Sequence, residues 1–155
     1  MEKSALQIAR AAYQPKLPAG LRGNVKIVEG APTQSVDNQE EIKALFPNTY
    51  GMPLVNFEPT DEKKEYAPIN IGIILSGGQA PGGHNVICGL YDGLKKQNPN
   101  SKLYGFLMGP GGLVDHNYLE MTDALIDEYR NTGGFDMIGS GRTKLEEVAQ
   151  FEKGM

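Results

Sequence analysis

Residues 69–85 read Ile-Asn-Ile-Gly-Ile-Ile-Leu-Ser-Gly-Gly-Gln-Ala-Pro-Gly-Gly-His-Asn, and this stretch decides the fold class. Its first seven residues form an apolar run of strand length, of the kind buried on both faces of a sheet. The run stops at Ser76-Gly77-Gly78. Beyond the glycines, Val86, Ile87, Leu90 and Leu94 recur at helical spacing, predicting a helix over 85–97 that Asn98-Pro99-Asn100 closes. A buried strand, a glycine loop and a helix in that order make the first half of a βαβ unit.

Working toward higher numbers, the alternation continues. A strand is predicted over 102–108, followed by a Gly-Pro-Gly-Gly loop at 109–112. Thr122 can cap a helix carrying Leu125, Ile126 and Tyr129 that ends at Gly133-Gly134. Residues 135–138 read as a short strand, 139–143 (Gly-Ser-Gly-Arg-Thr) as a second tight loop, and Leu145, Val148, Ala149 and Phe151 as the start of a further helix. The class is therefore α/β with parallel strands and crossover helices. Ligands of such sheets bind beyond the carboxyl ends of the strands, where both glycine loops fall. Tyr104 and Phe106 alternate along a strand and are assigned to the core, as is Cys88 from its place in an apolar helical pattern.

Working toward lower numbers, the pattern dissolves. Residues 1–68 read as an irregular helical extension without a core of its own, and 69–155 as the beginning of the α/β domain. Ser4 and Gln7 have capping-box spacing ahead of a helix that ends before Pro15, and Asp37 and Glu40 repeat it ahead of Ile42, Leu45 and Phe46. Prolines at 15, 18, 32, 53, 59 and 68 suggest a chain laid across another surface.

Composition narrows the function. The 155 residues carry a net charge of −4 with 22% charged and 39% hydrophobic residues, a globular balance without the basic footprint that holds nucleic acid. No apolar stretch is long enough to span a bilayer, and Met1-Glu2-Lys3-Ser4 opens no signal peptide. One cysteine cannot form an internal disulfide, in keeping with the cytoplasm. Glycine is abundant: twenty residues, sixteen of them from Gly72 onward, often in pairs. Such pairs mark tight turns or backbone that approaches something closely.

The loop at 76–85 is suited to an anion, because unobstructed backbone N–H groups and the positive end of the following helix would face it. It reads equally well as a turn that lets the helix pack closely on the sheet. Gly78 and Gly83 have the spacing of a P-loop, but His84-Asn85 stand where that motif needs Lys and Ser or Thr. His84 is read as an ordinary residue of the helix start, with donation to an anion as the alternative; His116 is assigned no role.

Residues 76–82 with Asn85 resemble the Ser-Gly-Gly-Asp-Ala-Pro-Gly-x-Asn loop of phosphofructokinases, and Gln79 with His84 gives the loop the look of the pyrophosphate-dependent branch. Leu103-Tyr104-Gly105-Phe106-Leu107, Asn131-Thr132-Gly133-Gly134-Phe135-Asp136 and Gly139-Ser140-Gly141-Arg142 are similar to further motifs of that family in the same order. Tyr13-Gln14-Pro15-Lys16-Leu17-Pro18 is similar to the extension of its long subclass. The resemblance implies a phosphofructokinase-like three-layer parallel sheet, present in part. It also implies reversible phosphoryl transfer from pyrophosphate to fructose 6-phosphate with magnesium. A parallel sheet present only in part leaves strand edges and apolar patches open, so self-association into a homo-oligomer is expected.

Carried onto this chain, the resemblance implies that Gly78 contacts pyrophosphate through its backbone, Gly77 sets the turn, and Arg142 stabilises the transferring phosphoryl group. The family's Gly-Gly-Asp-Asp and Thr-Ile-Asp-Gly-Asp segments, which supply the metal carboxylate and the base, do not occur here. The expectation is thus a fragment with no metal ligand and no base of its own, inactive alone. A non-catalytic regulatory subunit or phosphate-binding module of the same fold is the alternative.

Overall fold

A computed structural model describes residues 3–18, 20 and 22–155. Met1 and Glu2, part of the segment read above for a leader, lie outside the described residues. Contacts group the chain into two units, Met1–Gln14 with Glu65–Met155, and Pro15–Lys64.

The unit of Pro15–Lys64 is built on an antiparallel pair, β1 (Val25–Pro32) and β2 (Pro53–Pro59), with Ile27 opposite Phe57 and Glu29 opposite Val55. A helical reading of this region misses both strands. Their strand-forming stretches, Val25, Ile27 and Val28 in one and Leu54-Val55 in the other, are obscured by prolines, yet Pro32, Pro53 and Pro59 stand at strand ends, where a missing N–H costs little of the ladder. Between them lies α2 (Gln39–Leu45), starting one residue later than the Asp37 capping box would have it. Asn38 takes the cap position at φ 50° and its side chain makes no capping bond.

The other unit opens with α1 (Ala5–Ala12), whose expected capping box is present: Ser4 Oγ accepts from the Gln7 amide at 3.2 Å, and Gln7 Oε1 accepts from the Ser4 amide at 2.8 Å. Its remaining elements are β3 (Asn70–Ile73), α3 (Gly83–Gln97), β4 (Lys102–Phe106), α4 (Pro110–Val114), β5 (Tyr118–Glu120), α5 (Asp123–Tyr129) and α6 (Val148–Gly154). Strands β3 and β4 run parallel with α3 as the crossover, as expected. The third strand, β5, is antiparallel to β4, so the sheet is mixed, in the order β3-β4-β5.

One core joins β3, α3, β4 and α5. Ile87, Cys88, Tyr91 and Leu94 of α3 meet Leu103, Met121, Ile126, Met137 and Ile138, with Ile71, Ile73 and Leu75 packed against them. Burying each large aliphatic side chain contributes roughly 1.5–3 kcal/mol.

Four local expectations need correction. β3 is not buried on both faces: Ile71 and Ile73 turn inward while Asn70 and Gly72 are exposed. Tyr104 and Phe106 belong to that second face. They are half-buried, pack edge-on against Tyr118, and the Phe106 ring lies over Gly72; the core positions of β4 are Leu103 and Gly105. The loop at 109–112 holds α4, launched by Gly109 at φ 81° with Pro110 at its first position. Residues 135–138 form a turn and not a strand, because the Gly139 amide donates back to Phe135 O at 3.1 Å and the Met137 amide donates to a side chain.

Candidate functional site

The two glycine loops predicted to carry chemistry meet. Ser76 pairs with Gly141 in a single parallel bridge: the Gly77 amide donates to Gly141 O at 2.9 Å, and the Gly141 amide donates to Leu75 O at 3.3 Å. Only glycine fits at 141, since a Cβ there would stand 2.0 Å from Met108 O. This rung delivers the next residue, Arg142, to the first loop. Its Nη2 lies 2.7 Å from the point a Cβ would occupy on Gly78, so the guanidinium rests over the backbone of that glycine. Arg142 is exposed and, among the described residues, pairs with no carboxylate. Gly77, at φ 117°, makes the turn between β3 and the loop.

The start of α3 differs from the sequence-based expectation of free amides. Gly82, at φ 99°, is the cap and offers no side chain. Its own amide donates to Gly133 O at 2.6 Å, and the His84 amide donates to Gly134 O at 2.8 Å. Two donors are therefore committed to the 133–134 segment. Among the described residues the amides of Gly78, Gln79, Ala80, Gly83 and Asn85 have no protein acceptor, and they stand beside the positive end of the helix.

His84 is the residue that sequence reasoning undervalued. It is 2% exposed, its Nδ1 lies 2.5 Å from Thr132 Oγ1, its Nε2 accepts from the Met137 amide at 3.0 Å, and Asp136 Oδ1 stands 3.0 Å from the same Nε2. The Tyr129 ring meets it edge-on at 4.7 Å. Burial pushes its pKa below the ordinary histidine value, against the opposing pull of Asp136. The signal was present in the spacing: His84, Ile87, Cys88, Tyr91 and Leu94 form one buried stripe along α3. His116, assigned nothing, sits at φ 51° with its ring nitrogen against Lys153 O. Cys88 is buried as expected, and burial raises its thiol pKa.

Among the described residues no three His, Cys, Asp or Glu side chains converge as a metal site, and no helix is long and apolar enough to cross a membrane.

No family model matches the chain. It is 64% identical along its whole length to a pyrophosphate–fructose 6-phosphate 1-phosphotransferase of Porphyromonas gingivalis, of which it covers 28%. Proteins of the same name from Entamoeba histolytica and Treponema pallidum are 50% and 48% identical over 97% of the chain, again across 28% of their own lengths. The likeness inferred from scattered motifs thus runs through the entire sequence, and the chain spans a little over a quarter of the curated relatives it matches.

Proposed function

We propose that this chain is part of a pyrophosphate-dependent phosphofructokinase, which transfers phosphoryl between pyrophosphate and fructose 6-phosphate, and that its share of the site is the pyrophosphate cradle. The observation that carries this reading is the seating of Arg142 over Gly78. In phosphoryl transfer the charge of a loose transition state spreads over equatorial oxygens, and a guanidinium fork beside open backbone amides suits them. Gly78 contributes its amide, and its missing side chain makes room for the Arg142 guanidinium. Gly77 supplies the turn, and Arg142 the charge.

Magnesium belongs to the proposed reaction, but the described residues do not fit it: no cluster of carboxylates or imidazoles stands at either loop. No step is therefore assigned to the metal here, nor to a base for the sugar hydroxyl. The mixed sheet with α3 over one face is consistent with part of the three-layer architecture of phosphofructokinases. The cytoplasm and a homo-oligomeric whole belong to the same proposal.

The experiment supplies fructose 6-phosphate, pyrophosphate and magnesium to two proteins: the 155-residue chain and a longer one that continues over the length of the relatives. Fructose 1,6-bisphosphate is expected only from the longer protein, with its formation lost in Arg142→Ala. Turnover by the shorter chain above a Gly78→Val control would contradict its assignment as a partial site. A longer protein that uses ATP and not pyrophosphate would contradict the donor.

A further inference from the structure

The cradle depends on how the start of α3 is held against the segment leading to Arg142, and one buried side chain bonds to that segment at both of its ring nitrogens. Thr132 Oγ1 lies 2.6 Å from Tyr129 O. A carbonyl only accepts, so the threonine proton is committed there, and toward His84 the same oxygen must accept. His84 Nδ1 is therefore the protonated nitrogen. A neutral ring then has its lone pair on Nε2, where the Met137 amide donates at 3.0 Å. Thr132 and the Met137 amide are both satisfied by this tautomer, which leaves Asp136 Oδ1 facing the Nε2 lone pair at 3.0 Å, a repulsion that the exposure of that carboxylate to water screens.

The alternatives leave groups unsatisfied. With the proton on Nε2, the ring would reach the Asp136 carboxylate, but the Met137 amide would be orphaned and Thr132 would have to abandon Tyr129 O. With both nitrogens protonated, Asp136 and Thr132 are served, yet the Met137 amide is still lost in a dry site, at a cost of about 1–3 kcal/mol. Asp136 is the charged group that faces the ring, and its side chain is 76% exposed, so water solvates it without help from the histidine.

We propose that His84 is a positioning residue of the phosphate site, a neutral imidazole protonated on Nδ1 that locks the start of α3 to the 132–137 segment and so sets the separation of Gly78 from Arg142. The inference rests on the reading of these loops as an anion cradle. Two backbone bonds run beside the latch, from the Gly82 amide to Gly133 O and from the His84 amide to Gly134 O. Gly134 itself tolerates no side chain, because a Cβ would stand 2.7 Å from the imidazole Cε1. Two residues after Met137, the chain enters the loop whose Gly141 is pinned to Gly77 and Leu75. A shift of the 132–137 segment is therefore passed to Arg142 over a short, doubly anchored path.

The test uses the full chain carrying His116→Gln, which leaves one imidazole, labelled with nitrogen-15. Near neutral pH, ring correlations of the Nδ1–H tautomer are expected. Thr132→Val removes the acceptor. It is expected to shift the ring toward Nε2–H, to accelerate exchange of the Met137 amide about tenfold, to displace the Gly78 amide resonance, and to weaken sulfate binding at that resonance about threefold. Thr132→Ser, which returns the hydroxyl, is expected to restore all four readouts. Sulfate is the probe because its charge does not change through this range.

An Nε2–H tautomer in the His116→Gln chain overturns the proposal before any change is made at Thr132. So does a Gly78 resonance unmoved by Thr132→Val while the tautomer changes. If sulfate binds no form of the chain but the ring, Met137 and Gly78 respond as stated, the latch stands and the cradle reading of the loop fails.

Discussion

The two units use similar apolar residues to different ends. In the unit containing Glu65–Met155, Ile87, Leu103 and Ile126 are fully buried. In the Pro15–Lys64 unit no described residue is buried: Ile27 and Leu54 are each 66% exposed, and Phe57 58%. The difference lies in layering. A helix laid across a sheet covers one face of each, whereas a two-stranded ladder has two open faces and two edges. The first unit is held by side chains, the second by backbone hydrogen bonds and the turns that close them.

Truncating a core residue should expose this contrast most strongly. Ile126→Ala is expected to destabilise by about 2–5 kcal/mol in a denaturant melt, and Ile27→Ala by less than about 0.5 kcal/mol. Equal losses would mean that the exposed strand pair packs on something in solution, and light scattering would then be expected to reveal self-association driven by the apolar side chains it displays.

Next in size is the junction of the loops. Gly141→Ala drives a Cβ into Met108 O and should cost roughly 1–3 kcal/mol, while Gly89→Ala, on the open side of α3 with nothing within 4 Å, should stabilise by about 0.5–1 kcal/mol. The opposite signs separate a glycine held by close approach from one that only weakens its helix. If Gly141→Ala melts like the parent, the rung between Gly77 and Gly141 is not what positions Arg142.

How much of this was legible differs between the same two regions. Helix α3, the capped α1 and the parallel pair β3-β4 follow from spacing alone, because each is regular over enough residues to show its period. The loops at 76–85 and 139–143 were found as glycine clusters, and Gly78 and Arg142 were named, but only tertiary structure brings the guanidinium over the glycine. β1 and β2 were hidden by prolines that lie at strand ends. β5 is three residues long, too short for alternation to register. The turn at 135–138 looks like a strand because Phe135, Met137 and Ile138 are apolar; Met137 and Ile138 are apolar because they enter the core, while the Met137 amide is claimed by His84. That imidazole was passed over because a lone histidine at a helix start says little until it is placed in the buried stripe of α3.

The smallest predicted effect is a pH dependence. His84 has a folded pKa lowered by burial, so the unfolded chain takes up its proton first as pH falls. The stability associated with the neutral ring is complete above the unfolded value of about 6.5 and declines as pH falls through the lower folded value. Melting curves across that window should show a decline that His84→Gln flattens. A parent chain whose stability rises on acidification through the same window would mean that Asp136, and not burial, governs the ring.

The central claim is that Gly78 and Arg142 together form an anion site, and the direct measurement is the melting temperature of the 155-residue chain with increasing pyrophosphate at constant ionic strength. A ligand at a hundred times its dissociation constant stabilises by about 2.7 kcal/mol, so even millimolar affinity is visible. The account predicts a rise with pyrophosphate that disappears in Arg142→Ala and in Gly78→Val. A melting temperature unmoved by pyrophosphate, phosphate and sulfate, or a rise that survives in Arg142→Ala, would contradict it.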